Sequence, residues 1–159
     1  MVEIQKNHEG VIMPEKPLTS HVTAIDWCQS RHQVAIGCKD GAIRVYDKDG
    51  KYISDLNGHR DFITSLKWSP TGQFIAAGSR DQRISIFDRK NGRDQRFRQD
   101  EWGWNKNIQW KNNFEFFGIS NRKIIFDVSI GSREDPFDPA TVTVRNFSKL
   151  VNFHLSMIT

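Results

Sequence analysis

His21-Val-Thr-Ala-Ile-Asp-Trp27 and Phe62-Ile-Thr-Ser-Leu-Lys-Trp68 open two segments that run on in step to Asp47 and Asp88. Laid on one another without a gap, Trp27 meets Trp68, Gly37 meets Gly78, Asp40 meets Asp81 and Asp47 meets Asp88, each pair 41 residues apart. Four landmarks held in register mark internal repetition, and a period of this length belongs to stacked or radially arranged units rather than to a one-site enzyme. A third, weaker copy follows as Ile108-Gln-Trp110, Gly118 and Lys123-Ile-Ile-Phe-Asp127, its loops shortened by one or two residues.

Within a copy, short alternating bursts are bounded by Gly, Asp, Asn and Pro, the rhythm of an antiparallel meander. In the second copy they run over 62–68, 73–78, 83–88 and 93–97, which predicts four strands per repeat. Ser69-Pro70-Thr71-Gly72 places Pro where φ near −65° is wanted and Gly where φ can turn positive. Cys38-Lys39-Asp40-Gly41 and Ser79-Arg80-Asp81-Gln82 read as equivalent tight turns, each with an Asp able to bond its own backbone. Apolar residues recur at matched places: Val22, Ile25 and Trp27 against Ile63, Leu66 and Trp68, then Ile43, Val45 and Tyr46 against Ile84, Ile86 and Phe87. A sheet with two apolar faces cannot bury both alone, so these sheets are expected to stack on one another.

Gly58-His59, Ile63-Thr-Ser-Leu-Lys-Trp68-Ser-Pro-Thr-Gly72, Ala77-Gly78-Ser79-Arg80-Asp81 and Ile84-Ser-Ile-Phe87-Asp88 together resemble the WD40 repeat. The resemblance implies an all-β chain of β-propeller blades, each of four antiparallel strands. It also implies a buried hydrogen-bonded set of a His, a Ser or Thr, a turn Asp and a Trp. His59 and Asp81 stand at the His and Asp positions, while Ala77 and Phe87 replace the hydroxyl and the Trp. The first copy keeps Asp40 with Tyr46 for the Trp; in the third, the turn Asp falls near Asn121-Arg122 and the Trp position reads as Phe126. Residues 58–68 also resemble repeats of the echinoderm microtubule-associated-like proteins, which implies a cytoskeleton-associated alternative.

The organisation read from the sequence is a lead over 1–20 with room for one strand, three repeats over 21–127 (21–57, 58–98 and 99–127), and a loop with a strand-like tail over 128–159. The segment 141–147 is expected to give the third repeat its fourth strand, and 149–158 at most the first strand of another. Three blades fall short of the roughly four to eight of a closed propeller. The alternatives are a fragment or short form of a longer propeller protein, an open partial propeller completed by self-association or by another propeller segment, and a small closed barrel-like arrangement.

Hydrophobic residues make up 37% and charged residues 26% of the 159, the proportions of a soluble globular chain. No apolar run approaches the roughly 20 residues of a membrane span, and the first ten residues are too charged for a secretory leader. Cytoplasm, nucleus or cytoskeleton is the expected location. Cys28 and Cys38 make neither a disulfide framework nor a zinc site and read as reduced thiols. No phosphate loop, zinc helix or nucleophile elbow is present in the sequence, and the five histidines are scattered, so neither catalysis, metal nor cofactor is expected.

Two surface features carry the functional reading. Residues 80–98 hold seven cationic groups against three aspartates, which suits RNA or another acidic partner, but the blade arrangement would spread them over both rims and an outer strand. Trp102-Gly-Trp104, between copies two and three, falls on the rim where blades are joined, and Trp is enriched at binding hot spots. The sequence therefore predicts a non-enzymatic protein-protein interaction scaffold whose contact rim comprises Lys39, Arg60, Asp61, Arg80, Trp102 and Trp104, with His59, Asp81 and Asp40 holding the turns beneath.

Overall fold

The computed structural model describes residues 14–98, 103–130 and 143–146. Twelve strands and no helix make up their regular structure. Sheet 1 comprises β1 (Val22–Cys28), β2 (Gln33–Cys38), β3 (Ile43–Asp47) and β4 (Tyr52–Leu56). Sheet 2 comprises β5 (Ile63–Trp68), β6 (Phe74–Ser79), β7 (Arg83–Asp88) and β8 (Arg93–Arg98). Sheet 3 comprises β9 (Asn105–Trp110), β10 (Glu115–Ser120), β11 (Ile125–Ser129) and β12 (Thr143–Asn146). Each is an antiparallel meander with its strands in chain order. The strand expected within 141–147 is β12, paired with β11 through Val128 opposite Val144. Residues 149–158 and Trp102 lie outside the described residues.

Turn chemistry sets the register. Gly72 sits at φ +75° with its amide on the Ser69 carbonyl at 2.9 Å, and a Cβ there would meet Cys28 Sγ of sheet 1. Only glycine meets both demands, the left-handed conformation and the close approach. Gly41 takes the same conformation at φ +87°, whereas Gln82 and Lys123 adopt it with side chains, at φ 67° and 63°.

The sheets pack face to face through two like joints. Ile63, Leu66, Trp68, Ile75, Ala77 and Phe87 of sheet 2 close on Cys28, Ala35, Ile43 and Val45 of sheet 1. Phe74, Ala76, Ile84 and Ile86 on the other face of sheet 2 close on Ile108, Trp110, Phe116, Phe126 and Val128 of sheet 3. Each large side chain buried this way contributes about 1.5 to 3 kcal/mol. In both joints an indole N–H of the incoming first strand donates to a carbonyl of the preceding one, Trp68 to Asp26 at 3.2 Å and Trp110 to Lys67 at 3.1 Å. Gly37 and Gly78 make the space at the other end of that strand, where a Cβ would collide with Ile63 and with Asn105 respectively.

Three sequence expectations are corrected. Val22, Ile25 and Trp27, matched to the buried Ile63, Leu66 and Trp68, are 50%, 61% and 44% exposed. The pattern is the same, but among the described residues no sheet lies on the far side of β1. Gly118 pairs with Ile108 as Ala77 pairs with Leu66, so the residue at the Gly37 and Gly78 position is Ile119. Gly118 is instead where the Phe126 ring packs against the backbone. The counterpart of Tyr46 and Phe87 is Val128, opposite Phe116, and not Phe126; Asp127 accordingly stands at the position of Val45 and Ile86.

Candidate functional site

The β2–β3, β4–β5 and β6–β7 connections gather on one rim with Gly103 and Trp104, which lead into β9, because every second turn of an antiparallel meander falls at the same end. The same backbone bond recurs there in each sheet: Lys39 N to His21 O at 2.8 Å, Arg80 N to Phe62 O at 2.9 Å and Asn121 N to Trp104 O at 3.0 Å. It fixes a cation-bearing or amide-bearing turn beside the residue that opens the first strand.

The second sheet carries the most built turn. Asp81 Oδ2 lies 3.0 Å from His59 Nδ1 and accepts the Arg60 amide at 3.0 Å, while Oδ1 accepts the Arg83 amide at 2.9 Å. Ser79 Oγ accepts the Asp81 amide at 3.1 Å and donates to the Asp61 carbonyl at 3.0 Å. Burial alone would raise the Asp81 pKa, but the bonds from His59, Arg60 and Arg83 outweigh it and hold the carboxyl below the ordinary range. The His59 and Asp81 side chains are 1% and 8% exposed, so this network lies under the surface and stiffens the turn that presents Arg80. Nε2 of His59 is buried without a hydrogen-bond partner among the described residues.

Sheet 1 builds its equivalent turn more simply. Asp40 accepts the Ala42 amide at 3.0 Å and an Arg44 N–H at 3.3 Å, and its own amide donates to Ser20 Oγ at 3.1 Å. Burial works against this carboxylate too, and its hydrogen bonds, with Ala42 foremost, bring the pKa below the ordinary value.

Above these turns a row of alternating cations and rings crosses all three sheets. Lys39 Nζ lies 5.2 Å from the Phe62 ring, the Arg80 guanidinium 5.1 Å from the same ring, and that guanidinium 5.8 Å from the Trp104 ring. Lys39, Arg80 and Trp104 thus come together; Arg60 and Asp61 flank them in the β4–β5 connection, both exposed. Trp104 is half-buried, its amide on Asn121 Oδ1 at 3.0 Å. Phe62, the centre of the row, was not among the expected rim residues. Its signal was its place in the repeat, one residue before the first strand like His21 and Trp104.

The basic stretch 80–98 does not form one surface. Arg80 is on this rim; Arg89 and Lys90 are in the β7–β8 turn at the opposite one, where Arg89 donates to Ser54 Oγ at 2.9 Å and burial lowers its pKa. Arg93–Arg98 form strand β8 at the sheet edge. Among the described residues no group of three or more His, Cys, Asp or Glu is placed to hold a metal ion, and no helix is long and apolar enough to cross a membrane.

The WD domain, G-beta repeat (WD40) family matches residues 13–47 and 50–88. These are WD40 repeats. The F-box-like/WD repeat-containing protein TBL1X of Macaca fascicularis is 28% identical over 115 residues, which is 72% of this chain and 20% of that protein. The chain therefore spans about a fifth of the length of such curated relatives. Among solved structures, the Cps50 (Swd1) β-propeller domain of Myceliophteria thermophila superposes with a TM-score of 0.64 at 21% identity, over 80% of this chain and 40% of that one. The WD40 repeats of RRP9 superpose with a TM-score of 0.68 at 14% identity, over 80% of this chain and 41% of that one. All three sheets thus have the fold of β-propeller blades, the first two matching the WD40 family model, and the structures they superpose on extend well beyond them.

Proposed function

We propose that this chain is a non-enzymatic protein-interaction platform whose contact surface is the rim bearing Lys39, Arg60, Asp61, Phe62, Arg80 and Trp104. Trp102, outside the described residues, joins the proposal through its place in the β8–β9 connection. The observation that carries it is the row Lys39, Phe62, Arg80 and Trp104, in which cations lie over rings across three rigid sheets. A surface of this kind suits a carboxylate-bearing segment of another protein: the cations give charge complementarity and the rings give apolar contact. Each turn is tied to the blade beneath it, so binding orders little of the surface and loses correspondingly less entropy.

The test is selection of acidic peptides from a displayed library against the full chain, followed by calorimetry with wild type, Arg80→Ala and Trp104→Ala. The expected result is at least about tenfold weaker binding for each variant, equivalent to about 1.4 kcal/mol, with thermal melts like that of the wild type. Unchanged affinity in both variants would defeat the rim assignment. Loss of folding in Trp104→Ala without a binding-specific effect would make Trp104 a packing residue.

A further inference from the structure

The rim opposite the proposed contact surface is crossed by two arginines in opposite directions. Arg31, in the β1–β2 turn of sheet 1, reaches over to sheet 2, where its Nε donates to the Gly72 carbonyl at 2.5 Å. The next carbonyl of sheet 2, that of Gln73, accepts the Arg89 amide at 2.7 Å. From there the Arg89 side chain runs back to sheet 1, and its Nη2 donates to Ser54 Oγ on β4 at 2.9 Å. Both guanidiniums therefore lie across the same end of one joint, each tethered to the other sheet by an uncharged acceptor.

No carboxylate neutralises either one. Among the described residues neither Arg31 nor Arg89 forms an ion pair, and Nε of Arg89 is buried without a hydrogen-bond partner. The carboxylates at this end are committed elsewhere. Asp88, the chain neighbour of Arg89, accepts the Lys90 and Asn91 amides at 3.0 and 3.2 Å and the Asn91 side-chain amide at 2.7 Å. Asp47 accepts the Asp49 and Lys51 amides at 2.8 and 2.9 Å. Asp55 and the exposed Asp94 line a cavity of about 190 Å³ with Arg89, but neither pairs with it, and Asp55 is bridged to Lys16 at 3.1 Å. Burial, and after it the Arg31 charge, lower the Arg89 pKa. Two like charges held together and partly withdrawn from water destabilise one another until an anion joins them.

We propose that Arg31 and Arg89 form an anion site that takes a phosphate group, on the opposite rim from the protein-contact surface and independent of it. Charge and donor geometry choose the ligand. A phosphate dianion balances two guanidiniums, and its tetrahedral oxygens accept from both at once. The donors are Nε of Arg89 and the Nη groups of Arg31, which meet no acceptor among the described residues. Planar guanidinium forks are matched to oxyanions of this kind rather than to a spherical halide. Each arginine is already tethered, so binding loses little side-chain freedom. Because one arginine comes from each sheet, the bound group also ties sheet 1 to sheet 2 and stabilises the folded chain.

The test is calorimetry and thermal melting of the full chain with inorganic phosphate and with phenyl phosphate, at neutral pH and at an ionic strength held constant with chloride. Wild type, Arg31→Gln and Arg89→Met are compared. The expected result is saturable binding by the wild type with a raised melting temperature, and affinity at least about tenfold weaker in each variant. Inorganic phosphate binding at least as tightly as phenyl phosphate identifies a free ion as the occupant; the reverse order identifies a phosphomonoester carried by another molecule. A wild type that responds to neither ligand beyond chloride would overturn the proposal. So would equal affinity in all three proteins, or variants whose loss of stability is the same in phosphate as in chloride, since the arginines would then be tethers between sheets and nothing more. If Arg89→Met melts without cooperativity, Arg31→Gln, a change in a turn, is read by the same criteria.

Discussion

His59 Nδ1 and Asp81 Oδ2 lie 3.0 Å apart beneath the rim, and the same carboxylate accepts the amides of Arg60 and Arg83. One side chain therefore joins the β4–β5 connection to the β6–β7 turn. Because the Asp81 pKa is lowered in the folded chain, its contribution is complete above the ordinary carboxylate value and is lost as pH falls through the lower native one. Asp81→Asn is expected to cost about 2 kcal/mol at neutral pH, with the difference from wild type shrinking toward about pH 3. Urea titrations of both proteins at the two pH values check the size and the sign.

The unpartnered Nε2 of His59 makes a gain possible. Ala77 occupies the position where the WD40 pattern carries a hydroxyl, and it is fully buried. Ala77→Ser is expected to give Nε2 its partner and to stabilise by about 1 kcal/mol, the net value of one hydrogen bond. A rise in urea midpoint that His59→Ala abolishes is the expected signature in a double-mutant cycle.

Gln82 holds φ at 67° in a turn whose sheet 1 counterpart is Gly41. A side chain in the left-handed region costs about 1 to 2 kcal/mol, and glycine's extra freedom in the unfolded chain returns part of that. Gln82→Gly is therefore expected to stabilise by about 0.5 to 1 kcal/mol, measured as a higher midpoint at unchanged denaturant slope.

The joints respond in the opposite sense. A Cβ on Gly37 would lie 2.5 Å from Ile63 Cγ2, and neither β2 nor β5 can withdraw without loosening the contact between the sheets. Gly37→Ala is expected to destabilise by about 1 to 3 kcal/mol. Ile63→Ala in the same background removes the nearest atom but leaves the Ile63 Cβ at 2.8 Å, so a cycle showing partial favourable coupling between the two substitutions confirms the contact.

The strands and the joints between them were legible because they rest on local rules. Alternation marks β1 to β11, Ser69–Gly72 spells its own turn, and Trp27, Trp68 and Trp110 fix the first strand of each sheet. The register of sheet 3 was not legible, because two changes of length compensate. Trp110 is 42 residues beyond Trp68, but a β9–β10 turn one residue shorter brings Phe116 back to 41 beyond Ile75. Gly118 and Phe126-Asp127 consequently look like landmarks while standing one or two positions away from them. Of the rim, the sequence pointed to Lys39, Arg80 and Trp104 but missed Phe62, since a residue just before a strand reads as packing until the cations on either side are placed. The apolar pattern of β1 likewise says which side chains share a face and nothing about whether that face is covered.

Trp68 and Trp110 are 6% and 8% exposed, whereas Trp27 is 44% exposed at the equivalent place in its strand. Three chemically identical fluorophores therefore sit in two solvent environments. Emission from Trp27 lies toward the red and is open to collisional quenchers, while the other two emit from a dry, shielded setting. Anything that covers β1 will draw Trp27's share of the emission toward the blue and protect it from iodide, so with Trp102 and Trp104 replaced by Phe the chain carries an optical gauge of whether that face is occupied.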